Sequence, residues 1–429
     1  MISRSFRHFP LLACMLLAAC GSPEERAANY LDKAEALYEQ EDYVTARIEA
    51  LNAAQIEPRN ADVRFLLAKI EEKEQNIRKA VGHLQVAIDA DPNHLDSRIR
   101  LGSYYVLAKA AEQAAEQAAV ASTLAPDNAE VHLLQARVNY LNENNDAARK
   151  EVDIALATDP SLVAAIMFKA GLDMGDGNPE DAMQLIADGI ASADPEGVKQ
   201  LRQFRILLLR ATESDDEVEA ELKALIEDYP DEQDFPLALA QLFITQERFD
   251  EAETLYRRYV DQDPEDPARR IEFVRFVGTH RGPEAAVEAL QEFIVEFPDS
   301  MELQLALGQL HESIEEPDEA LVIFEKIAAT DPKSEIGLRA RNRIAAIKVQ
   351  KEDVAGARTV IESILTDDQN NAEALMMRAA FRYVDKEFNE AVADLRTVLR
   401  VRPESERALL LLARSHRAAG NRELAHDAY

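Results

Sequence analysis

Residues Arg98–Pro126, RIRLGSYYVLAKAAEQAAEQAAVASTLAP, decide the fold. The stretch reads as two helical faces, each built around one small residue, Gly102 and Ala114, and it closes on a proline. A small side chain at a fixed place on each of two helices lets them approach closely, and apolar residues three and four positions away fill the seam. Outward from this stretch the same places recur every 34 residues: Pro58, Pro92, Pro126 and Pro160 keep that spacing. After small slips at Pro195 and Pro230, it resumes through Pro264, Pro298 and Pro332, and Pro403 falls in the same place. Ala34, Ala68, Gly102, Ala136 and Ala170 form one column of small residues; Ala46, Ala80, Ala114, Ala148 and Ala182 form another.

Turn chemistry agrees with antiparallel helix pairs. Pro179, Pro283 and Pro317 stand just before the second small residue, where the missing N–H of a first-turn proline costs nothing. Asp-Pro at 91–92, 159–160, 263–264 and 331–332 ends the second helix, because proline biases its predecessor away from helical geometry. In LALAQLF (237–243) and DEAETLYRRYV (250–260) the spacing predicts that Leu239, Ala240 and Phe243 face Ala252, Tyr256 and Tyr259. The fold class is therefore all-α.

A period of 34 with these columns resembles the tetratricopeptide-repeat (TPR) family, whose pattern is W-x2-L-G-x2-Y, then A-x3-F, then P. Leu101, Gly102, Tyr105 and Pro126 match it in the third unit, and Ala252, Tyr256 and Pro264 in the seventh. The resemblance covers residues 27–429 and implies a right-handed superhelical solenoid of about eleven units plus a partial one. It divides the chain into a repeat block over 27–197, a degenerate unit over 198–232 and a second block over 233–429. Three departures stand out. The Trp column holds Tyr30, Arg64, Arg98, His132 and Ile166; the sixth unit lacks its first small residue; the tenth, 335–371, carries an insertion and no terminal proline. The twelfth unit stops at Tyr429 inside its second helix, which predicts a protein that continues further.

The N-terminus reads differently. Arg4 and Arg7 precede an apolar run, Leu11–Ala19, too short to span a bilayer, as in a secretory signal peptide over residues 1–19. Leu17-Ala18-Ala19-Cys20 resembles the lipobox of bacterial lipoproteins, which implies an acylated Cys20 on a tether over 20–26. Only Cys14 and Cys20 occur, so the mature chain keeps one thiol and forms no internal disulfide. Removing residues 1–19 moves the formal charge from -32 to about -34. Such a chain is repelled by phosphates, and nucleic acid is not expected as a partner.

No phosphate-binding glycine loop, H-E-x-x-H motif or cysteine pair is present, so no enzyme activity, metal or cofactor is predicted. DMGDGNPEDA (173–182) and DQDPEDP (261–267) lack the order of a calcium loop and read as solvated turns. His311 and His416 read as packing residues in the column that the family fills with Tyr. Family resemblance implies that the first helices line a concave groove through their second, fifth, ninth and twelfth positions. The fifth and twelfth give Ile99, Val106, Leu133, Tyr140, Met167 and Met174 as a candidate groove for a protein or peptide partner. Layout resembles the TPR lipoproteins of exopolysaccharide export and PEP-CTERM/exosortase systems. The expectation is a periplasmic scaffold, lipid-anchored at the outer membrane because Gly21 follows the cysteine. Alternatives are an outer-membrane assembly or secretin-piloting adaptor, and the docking arm of a longer enzyme.

Overall fold

The computed structural model describes residues 22–428. The signal peptide, Cys14, Cys20, Gly21 and Tyr429 lie outside the described residues. Among those described, 24 helices and no strand are found. They form two compact units, Met1–Glu221 and Leu222–Tyr429, with the division inside the stretch 198–232. The first unit holds α1 (Pro23–Glu39), α2 (Tyr43–Ile56), α3 (Ala61–Lys73), α4 (Ile77–Ala90), α5 (Leu95–Leu107), α6 (Ala111–Leu124), α7 (Ala129–Leu141), α8 (Asn145–Thr158), α9 (Val163–Gly175), α10 (Pro179–Ser192) and α11 (Pro195–Ala211). The division falls within α12 (Asp215–Asp228). The second unit continues with α13 (Asp234–Thr245), α14 (Phe249–Asp261), α15 (Pro267–His280), α16 (Pro283–Glu296), α17 (Met301–Ser313), α18 (Pro317–Thr330), α19 (Glu335–Gln350), α20 (Val354–Asp367), α21 (Ala372–Val384), α22 (Phe388–Val401), α23 (Glu406–Ala418) and α24 (Arg422–Ala428).

From α3 to α10 the 34-residue period resolves into a 13-residue helix, a three-residue turn, a 14-residue helix and a four-residue turn. The short turn is left-handed in every pair: Glu41, Gln75, Lys109, Glu143 and Gly177 have φ between 56° and 81°. The next N–H then returns to the first helix, from Asn76 to the Glu71 carbonyl at 2.8 Å and from Ala110 to Tyr105 at 2.8 Å. These are Schellman bonds, which satisfy carbonyls that the helix end leaves open. Helices α3 and α7 start on a side-chain cap, Asn60 accepting from the Val63 N–H and Asn128 from the Val131 N–H, both at 3.1 Å. Each such cap contributes about 1 kcal/mol.

Both columns of small residues are the seam. Ala34, Ala68, Ala136 and Ala170, and Ala46, Ala80, Ala114, Ala148 and Ala182, are all 0% exposed, and Gly102 is buried with them. The second unit repeats the pairing with Ala240 and Ala252, Gly308 and Ala320, and Ala379 and Ala391. In the degenerate unit Ile206 and Val218 hold the corresponding places, both buried.

Several expectations change. Residues 23–26, read as tether, are the first turn of α1, closed by a capping box between Ser22 and Glu25. Pro195 opens α11 instead of ending a helix; α11 gains a turn at its N-terminus and the usual four-residue connection shrinks to Ala193-Asp194. The insertion in the tenth unit lengthens α19 to 16 residues. Tyr256 and Tyr259 meet the following repeat: Tyr256 stacks on Phe276, centroids 4.8 Å apart, and the Arg269 guanidinium covers Tyr259 at 4.7 Å.

The departures in the Trp column also find their reason. Arg64, Arg98 and Gln304 each donate to the carbonyl of the repeat-ending proline six residues back, Pro58, Pro92 and Pro298, at 2.9, 2.6 and 2.7 Å. Arg341 does the same to Pro332 at 2.9 Å across nine residues, three more because of the insertion. At these four repeat junctions a polar donor thus takes the column and satisfies a carbonyl.

Gly308 tests the seam. A Cβ there would lie 2.5 Å from Cε1 of the fully buried Phe324 ring. Gly308→Ala is expected to destabilise the protein by about 1–3 kcal/mol through overpacking. Gly82→Ala, on α4 with nothing within 4 Å of the new Cβ, should stabilise it by about 0.5–1 kcal/mol. Urea midpoints of the two variants check both signs.

Candidate peptide-docking groove

In the first unit the first helices come together on one face: α1 touches α3, α5 touches α7, and α7 touches α9. Two adjoining clefts open there. One, of about 540 Å³, runs from Phe65 and Lys69 on α3 across α5 and α7 to Leu162 and Ala164 at the start of α9. The other, of about 940 Å³, lies between Val106, Leu107 and Lys109 on one side and Tyr140, Leu141 and Phe168 on the other.

Four of the six candidate residues line these clefts, Ile99 and Leu133 the first, Val106 and Tyr140 the second. Leu133 is 4% exposed and forms a floor, whereas Tyr140 is 51% exposed and stands at the rim, edge-on to Phe168 with centroids 5.9 Å apart. Met167 and Met174 pack instead against the core of Ile166, Ala170, Ala182, Ile186 and Leu201. Reading only the fifth and twelfth positions left out Asp96 and Glu130 at the second and Ser103 and Arg137 at the ninth, all of which line the clefts. Their signal lay in the same helical phase. Leu107 and Phe168, one residue beyond the groove positions, carried none.

Charge in the clefts is arranged unevenly. Arg100 is bound to Glu72 at 2.8 Å, and the Lys69 ammonium lies over the Tyr38 ring, 4.2 Å from its centroid. Burial, and after it the Glu72 carboxylate, hold the Tyr104 phenol far above its ordinary pKa, so it remains a proton donor. Burial lowers the Arg137 pKa against the opposing attraction of Glu130.

The two acidic stretches are turns with internal partners. Arg149 donates to Asp173 at 2.6 Å and to Asp176 at 3.0 Å, filling the loop between α9 and α10 with a cation of the protein's own. Asp266 caps α15, accepting from the Ala268 N–H at 2.8 Å. Among the described residues no group of three or more His, Cys, Asp or Glu is placed to hold a metal ion, and no helix is long and apolar enough to cross a membrane. His311 is buried and bonds Glu316 at 2.7 Å across its turn. His416 is 5% exposed with an unsatisfied Nδ1, and burial, then Arg396, lower its pKa.

Stacked helix pairs with a groove on the first-helix face define a helical-repeat solenoid. Sequence profiles of the tetratricopeptide repeat match residues 31–94, 107–163, 278–335 and 386–429, and a second such profile matches 216–270. The chain belongs to the tetratricopeptide-repeat family, and it is a protein-interaction scaffold. Among solved structures it is similar to Naa15/Naa10 bound to HypK-THB, at 15% identity and a TM-score of 0.45, covering 95% of this chain and 62% of that one. Yeast Tom70 aligns at 12% identity and a TM-score of 0.39, covering 94% and 97%. Pseudomonas aeruginosa pilF aligns at 17% identity and 0.38, covering 52% and 100%. Among curated proteins none matches the sequence.

Two glutamates separate rim from core. Tyr140→Glu is expected to leave helicity intact and cost no more than about 1.5 kcal/mol, the worth of one edge-on ring contact. Met167→Glu places a carboxylate against the core and should cost about 2–4 kcal/mol. Circular dichroism with urea titration reads both.

His416 gives a pH signature. A histidine with a lowered folded pKa binds fewer protons folded than unfolded, so its contribution is complete above the ordinary value near 6.5 and is lost as pH falls from there towards the folded value. The urea midpoint of the second unit should therefore fall between pH 7 and pH 5, and less steeply in His416→Gln.

Proposed function

We propose that this chain is a lipid-tethered scaffold of the bacterial cell envelope, facing the periplasm from the outer membrane and recruiting protein partners of an assembly or export pathway. The groove over α3–α9 carries the recruiting half of this reading: two adjoining clefts with an exposed tyrosine and an exposed leucine at their rim, Tyr140 and Leu107 at 51% and 77% exposure, offer a peptide both floor and handhold. The tethering half rests on the sequence alone. Leu17-Ala18-Ala19-Cys20 ends an apolar run, Gly21 follows, and helix α1 begins at Pro23. Two or more acyl chains on Cys20 give stable anchoring without a polybasic patch. An exopolysaccharide or PEP-CTERM export system is the favoured pathway, on the layout of a lipobox followed at once by repeats.

Mass spectrometry of the N-terminal peptide tests the tether. An acylated Cys20 in the membrane fraction, with Cys20→Ala released to the soluble fraction, is the expected result; an unmodified soluble N-terminus removes the membrane from the reading. Affinity purification of the tagged protein from membranes tests the pathway, with polysaccharide-export components expected and barrel-assembly or secretin subunits pointing to a piloting adaptor.

A further inference from the structure

Arg137 lines both clefts, at the saddle between them. It is the ninth residue of α7, flanked four residues before by Leu133 in the first cleft and three after by Tyr140 in the second. Its guanidinium has five donors and, within the described residues, meets no hydrogen-bond acceptor or carboxylate at contact distance. Glu130, two turns back on α7, attracts it through space only. In a chain of formal charge -32 the second cleft is lined by more cations than acids, Lys109 and Arg137 against Glu143, while in the first Lys69 and Arg137 face Asp96 and Glu130, with Arg100 bound to Glu72 at 2.8 Å. A half-buried arginine with open donors between two apolar surfaces is matched by a carboxylate, which accepts its paired N–H groups.

We propose that Arg137 is the specificity-determining residue of this groove, receiving the aspartate or glutamate of a partner peptide whose apolar side chains enter the clefts on either side. The inference rests on the groove reading above and adds the chemistry of the peptide. Leu133 and Tyr140 are about 10 Å apart along the helix at 1.5 Å per residue, and an extended peptide covers that span in about three residues at 3.3 Å each. The recognised motif is thus two apolar side chains three or four residues apart with an acid between them. Leu107, reaching both clefts, closes over it.

Selection of a random peptide library on the purified protein, followed by fluorescence anisotropy of the winners, tests this. Expected winners carry Asp or Glu between two apolar positions. Arg137→Met should weaken them at least tenfold and Arg137→Lys less, with helicity unchanged in both. Replacing the peptide acid by its amide should cost a similar factor in wild type and little in Arg137→Met. Winners that need Tyr140 but lack an acid, or that ignore Arg137→Met, overturn the proposal and leave the groove standing. Binding insensitive to Tyr140→Glu, or no selected binder at all, overturns the groove reading and the proposal together.

Discussion

Close approach of two helices at one pair of small residues is the constraint on which both units depend. Where Ala34 meets Ala46, or Ala136 meets Ala148, no side chain bulkier than a methyl is present, and the residues concerned are wholly excluded from solvent. The approach fixes how far each pair extends sideways. It thereby fixes where the next first helix must pack, and a change in volume at one seam is passed to its neighbours because interiors are close-packed. Gly308 shows the limiting case, where even a methyl group is too much because Phe324 has taken its space.

Register explains how the repeats tolerate irregular sequence. Three extra residues in α19 are absorbed at its N-terminal end, so that Ala345 still reaches the seam and Arg341 still reaches the Pro332 carbonyl. In α11 an added turn replaces most of the connection before it. Neither change disturbs the small-residue place, since helix ends facing solvent can lengthen without altering a seam. The strained left-handed residue in each turn is held because the Schellman bonds on either side of it have no better partner.

The groove inherits its character from this geometry. Seam and junction claim the buried faces of α5 and α7, leaving the second, fifth, ninth and twelfth residues to face the clefts. Many cations elsewhere are bound to the abundant acids, as Arg149 is to Asp173 and Asp176, or Arg378 and Arg382 are to the buried Asp394. Arg137, by contrast, has no acid at contact distance among the described residues, Glu130 attracting it only from two turns away, and it stands where the two clefts adjoin.

Sequence alone determined the class of fold, the period, both seam columns and the helix pairing, because each depends on residues close in the chain and repeated at fixed spacing. The caps at Asn60, Asn128, Ser300 and Asn371, and Ser103 and Arg137 at the ninth position, came from the structure, although they too fall in the phase of the repeat. The left-handed turns at Glu41, Gln75, Lys109 and Glu143 were not legible, since their conformation is imposed by the helix pair and not by glycine. Only the tertiary structure decided that Met167 and Met174 belong to the core beside Leu201 while Tyr140 stays at the rim, because that depends on how far the neighbouring helix α11 covers α9. It alone showed that arginine in the Trp column bonds the proline carbonyl six residues back, a contact set by the path of the turn that brings the two together.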